Sequence, residues 1–207
     1  LAAPTDVPLR LGVFGGSFDP IHFGHLLVAD DVRHRQRLDR ILFVPTCRPP
    51  HKRRPVTPYR RRLAMVRLAI AGHPEFELCR IEEKRPGLSF TVDTLAGLRR
   101  LCPGARLYLI IGWDQYRDVS GWYQPELLAR LAHLVVVSRP GIDRPTLFPG
   151  HDRRRVLFRS VIPVSISAAA IRAGLAKGRS VRYMLPVGVN DYVKRHRLYK
   201  RSQALAN

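Results

Sequence analysis

Short unbroken apolar runs alternate along the chain with longer stretches in which apolar residues return at helical spacing. The first kind reads as buried strand and the second as amphipathic helix. Residues 10–14 form a short buried strand ending in Gly15-Gly16, and helical spacing runs from about His25 to Arg37. Residues 40–44 are a second strand, closed by Pro45. The stretch 46–58 holds Pro49, Pro50, Pro55 and Pro58 and is a loop. Thr57 then caps a helix with Pro58 in its first turn, running to about Ala71. Residues 76–81 are extended, 91–101 are amphipathic helix, and 106–111 are a buried strand followed by Gly112. A helix over 125–131, a strand over 133–138, an irregular Pro-, Gly- and Arg-rich loop over 139–154 and a strand over 156–163 come next. Short helices over 167–176 and 186–195 complete the pattern.

Strand and helix in repeated alternation, with crossovers long enough to hold a helix, imply a parallel sheet covered on both faces. The expected fold is therefore α/β, a Rossmann-like doubly wound sheet in a single domain over residues 9–200 with short C-terminal helices. Residues 1–8 read as a flexible N-terminal extension and 201–207 as a flexible tail. Ligands of such sheets bind beyond the carboxyl ends of the strands, where the topology reverses. The loops after Phe14, Val44, Ile111 and Ser138 are where chemistry is expected.

Composition narrows the classes. The 207 residues are 45% hydrophobic and 25% charged, the balance of a soluble globular protein. No apolar run approaches the roughly 18 residues of a membrane helix, so no membrane association is expected. The start of the chain lacks the basic flank and apolar stretch of a secretory signal. Cys47, Cys79 and Cys102 lie far apart and read as thiols in a reducing, cytoplasmic setting. Neither they nor the eight histidines show metal-site spacing, and no bound metal is expected.

Charge is the oddity. Lys and Arg total 36 against 16 Asp and Glu, a formal net charge of +20. Such a surface draws anions of any kind, from nucleotides to RNA. The basic residues are scattered in short clusters, Arg53-Arg54, Arg60-Arg61-Arg62 and Arg153-Arg154-Arg155. That favours a solvated arginine-rich surface over a dedicated polyanion-binding face, and no dedicated nucleic-acid partner is expected.

The run Gly15-Gly16-Ser17-Phe18-Asp19-Pro20-Ile21-His22-Phe23-Gly24-His25 carries the chemistry. It follows a buried strand and leads into a helix. Gly15 and Gly16 let the backbone turn tightly beside a phosphate, and the helix start offers free amides and a positive dipole end to an anion. His22 and His25, three apart, face one side of a helical turn, with Gly24 leaving room for a ligand. Two imidazoles over an amide-rich turn suit phosphate oxygens whose charge grows during transfer.

This segment resembles the HxGH nucleotidyltransferase superfamily, with His22-Phe23-Gly24-His25 as its HxGH. Gly-Gly-Ser-Phe-Asp-Pro is similar to the opening motif of the bacterial nicotinate-mononucleotide adenylyltransferases, and the similarity extends from about Leu11 to Tyr199. The resemblance implies further site residues. Pro49-Pro50-His51-Lys52 looks like a loop that puts His51 and Lys52 near the acceptor phosphate. Ser89-Phe90-Thr91 looks like a Ser-Tyr-Thr segment that meets the nicotinate carboxylate; Thr91 can equally cap the helix it precedes. Ile110-Ile111-Gly112-Trp113-Asp114 matches an Ile-Ile-Gly-x-Asp run in which Gly112 lets the nucleotide approach and Asp114 accepts from ribose hydroxyls. Gly121-Trp122-Tyr123 resembles a Thr-Trp-His/Tyr segment on which the pyridine ring stacks. Val164-Ser165-Ile166-Ser167-Ala168-Ala169-Ala170-Ile171-Arg172 resembles the second superfamily signature, with Ser167 as helix cap and Arg172 facing the ATP phosphates. Phe90, Gly121, Ala168 and Ala169 depart from the usual residues, and at Ala169 the departure removes a phosphate-binding hydroxyl.

The resemblance implies transfer of AMP from ATP to nicotinate mononucleotide, with His22, His25 and Arg172 as catalytic residues. ATP would meet Gly15, Gly16, Ser17, Phe18, His22, His25, Gly112, Asp114, Ser167 and Arg172. The acceptor would meet Ser17, His51, Lys52, Thr91, Asp114, Trp122 and Tyr123. Mg²⁺ would arrive with ATP, with no tightly bound cofactor, and assembly into a homo-oligomer stays open. Nicotinamide mononucleotide or another phosphorylated cofactor precursor is the rival acceptor. A non-catalytic nucleotide or RNA binder is the rival of another class, favoured by the charge and Ala169 and opposed by the intact histidine pair.

Overall fold

The computed structural model describes residues 8–50 and 57–200, so the expectations for residues 1–7 and 201–207, and for His51, Lys52, Arg53 and Arg54, lie outside it. Six parallel strands form one sheet in the order β3-β2-β1-β4-β5-β6. They are β1 (Arg10–Gly16), β2 (Arg40–Pro45), β3 (Phe76–Leu78), β4 (Arg106–Gly112), β5 (His133–Val137) and β6 (Val156–Arg159). This is the doubly wound order expected of a Rossmann-like sheet, and the direction of winding reverses between β1 and β4.

Alternation within each buried strand sorts the helices onto two faces. Ile41 and Phe43 of β2, Tyr108 and Ile110 of β4, and Val135 and Val137 of β5 share one core with α1 (Phe23–Arg35), α2 (Tyr59–Ile70), α6 (Ala168–Ala176) and α7 (Val187–Arg195). Leu42, Val44, Leu107, Leu109, Ile111, Leu134 and Val136 share the other with α3 (Thr91–Leu101), α4 (Trp113–Arg117) and α5 (Pro125–Leu131). Both faces of these strands are apolar, which is why they read as continuous runs rather than alternating ones.

Several expected boundaries move. β3 stops at Leu78 and β6 at Arg159, each short of the extended stretch the sequence suggested, because the chain beyond them leaves the ladder. α4 was not anticipated: its five residues are too short for periodicity to show. Thr57 does not cap α2, which begins at Tyr59 after Pro58. Thr91 does not cap α3 either; it is the first helical residue, and Phe90 holds the cap position without a side-chain cap bond.

Arg62 is the main correction. Its cluster, Arg60-Arg61-Arg62, was expected to be solvated, yet Arg62 is only 1% exposed. It lies on the inner face of α2 beside Leu63, Met65 and Val66. Its guanidinium donates to three main-chain carbonyls: Nη1 to Ser17 at 2.7 Å, Nη2 to Thr46 at 2.8 Å and Nε to Thr57 at 2.8 Å. The planar fork thus joins the loops that follow β1 and β2 to the start of α2. Arg62→Met is expected to destabilise the protein by about 3–5 kcal/mol, since it strands three buried carbonyls. Arg62→Lys should restore only part, a point charge being unable to meet all three. Urea unfolding midpoints of the two variants check this.

Candidate active site

The reversal between β1 and β4 opens two clefts that share a wall made of Gly15, Gly16, Ser17 and Gln115. One, of about 510 Å³, runs toward β2 and the start of α3, and Thr46, Pro49, Glu82, Thr91, Trp122 and Tyr123 line it. The other, of about 310 Å³, runs toward β5 and α6, and His22, His25, Gly112, Asp114, Arg139 and Ala168 line it.

The loop between β1 and α1 is built from within. Phe18 adopts a left-handed backbone with φ of 45° and drives its ring into the core, 2% exposed. There it packs edge-on against Phe14 and His25, with centroids at 5.8 and 5.1 Å. The buried Asp19 is a junction. Its Oδ1 accepts from the Tyr199 hydroxyl at 2.6 Å, its Oδ2 from the Thr57 amide at 3.3 Å, and its carbonyl from Arg172 Nη1 at 2.6 Å. Burial and the bond to Asp19 push the Tyr199 phenol far up, so it stays a donor.

The histidine pair forms at the helix start. His22 is the residue before α1, and its ring stacks on that of His25 at 3.7 Å and 25°. The His22 amide donates to His25 Nδ1 at 3.2 Å. An amide only donates, so Nδ1 carries a lone pair and the neutral ring keeps its proton on Nε2. His22 is 4% exposed, and burial, reinforced by the charge of Arg139, brings its pKa down to about 4. Burial, then His22, then Arg139 hold His25 well below the ordinary range as well. Both rings are neutral at pH 7. His22 Nδ1 is buried without a hydrogen bond among the described residues.

Two glycines have a different use from the one expected. A Cβ on Gly24 would sit 3.0 Å from His22 Nδ1 and 3.4 Å from the Ile166 carbonyl, so its bareness makes room for the His22 ring. A Cβ on Gly112 would collide with Asp114 Oδ1 and lie 3.2 Å from Arg139 Nε, so the space at that strand end belongs to protein side chains.

Most expected site residues meet at the clefts. Ser17 lies on the shared wall, Phe18, His22, His25, Gly112 and Asp114 line the smaller cleft, and Thr91, Trp122 and Tyr123 line the larger. Tyr123 is tilted against Phe90 at 4.5 Å, so the Phe90 departure still gives an aromatic partner. Ser167 caps α6 as expected, accepting from the Ala170 amide at 3.1 Å, while its neighbours Ile166 and Ala168 form the wall. Arg172 is not among the lining residues of either cleft; its bond to the Asp19 carbonyl braces the loop instead. Ala169 is exposed and lines neither cleft.

Sequence reasoning missed Asp19, Arg62, Gln115 and Glu82. Gln115 Oε1 accepts from the Gly112 amide at 3.2 Å and fixes the turn into α4. Glu82 is 6% exposed on the wall of the larger cleft. Its Oε2 accepts from the Cys47 amide and its Oε1 from the Thr94 hydroxyl, both at 2.9 Å, joining the loop after β2 to α3. The helical register of Arg62 with Leu63 and Val66 was a signal for its burial. Glu82, within Glu82-Glu83-Lys84-Arg85, carried none.

Residues 13–174 match a protein family described as cytidylyltransferase-like. The chain is 44% identical over 201 residues to a Thermomicrobium roseum protein named probable nicotinate-nucleotide adenylyltransferase, covering 95% of this chain and 94% of that one. It is 47% identical over 193 residues to a Thermus thermophilus protein of the same name, covering 93% and 100%. Among solved structures, Plasmodium falciparum nicotinic acid mononucleotide adenylyltransferase complexed with NaAD shares the fold, with a TM-score of 0.79 at 21% identity over 92% of this chain and 97% of that one. With a family match over most of its length and full-length relatives well above 30% identity, the chain belongs to the cytidylyltransferase-like nucleotidyltransferases, in their nicotinate-nucleotide adenylyltransferase branch.

Proposed function

We propose that this protein transfers AMP from ATP to nicotinate mononucleotide, forming nicotinate adenine dinucleotide and pyrophosphate. The observation that carries the reading is the pair of unequal clefts meeting at Gly15, Gly16 and Ser17, with the stacked histidines in the smaller one. Two ligands lying in the two clefts face each other across a wall of Gly15, Gly16, Ser17 and Gln115, two of which carry no side chain. The names of the relatives supply the acceptor class.

In the reaction a phosphate oxygen of the acceptor attacks the α-phosphorus of ATP. The bond from that phosphorus to the bridging oxygen breaks on the opposite side, and pyrophosphate leaves with the bond's electron pair. Positioning and charge stabilisation suffice, without a covalent enzyme intermediate. His25 Nε2–H is a fixed donor, aimed by the bond its Nδ1 accepts, and suits an oxygen gaining charge. His22 Nδ1, buried and unbonded among the described residues, is the second imidazole group for that polyphosphate. Among the described residues no three His, Cys, Asp or Glu side chains gather into a metal cage. In this reading Mg²⁺ arrives with ATP and would supply charge neutralisation to the triphosphate.

The larger cleft suits a flat aromatic acid. Trp122 and Tyr123 supply ring surfaces. The first turn of α3, free of a side-chain cap, offers Thr91 and backbone amides to a carboxylate. Both Glu82 oxygens accept bonds within the protein, which hold that carboxylate against the cleft wall. No helix of the described residues is long and apolar enough to cross a membrane.

Incubation with ATP, Mg²⁺ and either nicotinate or nicotinamide mononucleotide is expected to release pyrophosphate with clear preference for the acid, the product being identified by mass. Equal or greater use of the amide would overturn the acceptor assignment; silence with both would overturn the reaction. His25→Ala is expected to cut kcat by about a hundred- to a thousandfold with an unchanged circular dichroism spectrum. Near-wild-type kcat in the folded variant would remove His25 from the chemistry. Because both imidazoles are held below the ordinary histidine range, kcat should be flat between pH 6.5 and 8 as far as they govern it. The same depression has a sign for stability: the unfolded chain takes up protons first, so the melting temperature should fall as pH drops from 6.5 toward 4. His22→Gln should flatten that fall.

A further inference from the structure

Arginines far apart in the sequence meet at the amino edge of the sheet, the edge opposite the two clefts. β1 opens on Arg10 and β4 on Arg106, and the two are direct partners across the ladder. β5 opens on His133, which is level with Tyr108 of β4. Side chains alternate along a strand, so this register sets Arg10, Arg106 and His133 on one face. Arg155 joins them from the turn before β6, whose Val156 is level with Leu134. His133 stacks on Tyr108 at 5.0 Å and 18°, and the Arg10 guanidinium lies over the Tyr108 ring at 4.7 Å. Burial, then the charges of Arg155, Arg10 and Arg106, hold the His133 imidazole below its ordinary range.

Little at this edge neutralises the cluster. Among the described residues no ion pair joins Arg10, Arg106 or Arg155 to a carboxylate side chain. The carboxylates nearby serve the main chain instead: Asp39 accepts from the Arg10 amide at 2.7 Å and Asp152 from the Arg154 amide at 2.9 Å. The Arg10 guanidinium donates to the carbonyls of Arg37 and Gln36, which fixes where its charge sits. Arg106 and Arg154 are exposed. Helix ends attract cations through their dipoles, which accounts for Arg99, Arg100 and Arg130 in the last turns of α3 and α5. Sheets have only small net dipoles, so the arginines at the strand starts have no such reason. Gathering them costs self-repulsion, which an anion laid along the edge would relieve.

The shape of the cluster points to the anion. Strands about 4.8 Å apart carry the row from β1 to β6 across roughly 14 Å, and a nucleic-acid duplex presents about eight phosphates over that length. A single strand would use an open aromatic surface on which bases stack. Tyr108 is 4% exposed and offers none, so the contact left is to backbone phosphates. We propose that the amino edge of the sheet binds the phosphate backbone of double-helical nucleic acid through Arg106, Arg154 and Arg155, with Arg10 held behind them on Tyr108. The surface lies at the far end of the strands from the two clefts, and the proposal does not depend on the adenylyl-transfer reading. It revises the expectation of a merely solvated arginine surface: the basic residues are scattered along the chain, and the fold collects them.

Anisotropy of a fluorescent DNA duplex of arbitrary sequence, titrated with the full chain between about 50 and 200 mM salt, tests the proposal. Wild type is expected to bind with a Kd of about 1–100 μM near physiological salt, the logarithm of affinity falling linearly with that of salt. Replacing three arginines together, Arg106→Gln, Arg154→Gln and Arg155→Gln, should weaken binding about ten- to a hundredfold and flatten the salt slope by roughly 2–3. The same three positions as lysine should stay within about threefold of wild type, since backbone phosphates read charge. Arg60→Gln, Lys194→Gln and Arg195→Gln together remove the same charge from exposed sites at the start of α2 and the end of α7, and should bind as wild type. Circular dichroism confirms that each variant is folded; if the glutamine triple is not, Arg154→Glu alone should weaken binding about fivefold. Wild-type affinity in the folded glutamine triple, or in Arg154→Glu, would overturn the proposal. So would an equal loss in the Arg60, Lys194 and Arg195 variant, tighter binding of a single-stranded oligonucleotide than of the duplex, or binding to phosphatidylserine vesicles with none to DNA. Wild-type protein that leaves the duplex free at low salt would overturn it outright.

Discussion

A buried guanidinium holds this molecule's chemistry in place. Arg62 reaches from α2 to the carbonyls of Ser17, Thr46 and Thr57, and so ties the loop after β1, the loop after β2 and the start of α2 to one planar group. Desolvating a cation costs several kcal/mol, and three charge-assisted bonds offset it only while their geometry persists. The nearby Asp19 adds a second constraint. It takes the hydroxyl of Tyr199, 180 positions further along the chain, and the amide of Thr57. The loop that presents His22 and His25 is therefore clasped from α2, from the segment preceding it and from the C-terminal end of the described chain. Loops at the carboxyl edge of a sheet are free to vary; this one is fixed by buried charge.

The electrostatics divide the labour among residue types. His25, packed against Phe14, Phe18 and His22, and the buried His22 lose their charge to desolvation and become oriented dipoles. A preorganised dipole stabilises developing charge without waiting for a proton, which is what a transfer reaction near neutral pH requires. Beside these neutral rings stands Arg139 at the rim of the cleft, whose charge acts on both. The arginine-rich surface as a whole raises the local concentration of anions, but it lines the two clefts only at Arg139 among the described residues.

Most of the fold was legible because its strands are buried on both faces. Unbroken apolar runs at residues 40–44 and 106–111 leave little choice of assignment, and Pro45 and the Gly-Trp-Asp turn mark their carboxyl ends. The histidine pair was legible too, since glycine, spacing and a strand–helix context coincide there. What escaped was whatever depends on tertiary direction. Arg62 and Glu82 look like solvated charge in a linear string, and only packing shows that one holds carbonyls and the other joins two walls. Gly24 and Gly112 were read as room for a ligand, whereas their missing Cβ atoms make room for His22, Asp114 and Arg139. The pattern of the second signature says nothing about which way Arg172 turns, and its bond to the Asp19 carbonyl is seen only in the fold.

The shared glycine wall bears on what happens after the bond forms. In the proposed reaction each reactant takes one cleft, whereas the dinucleotide product spans both, and its halves are then tethered to one another. Release of one half leaves the other in place and holds the freed end close to its own site, so rebinding competes with escape. Pyrophosphate has no such tether and leaves as a separate anion. The architecture that brings two small molecules together is in this way the same one that slows the parting of their union.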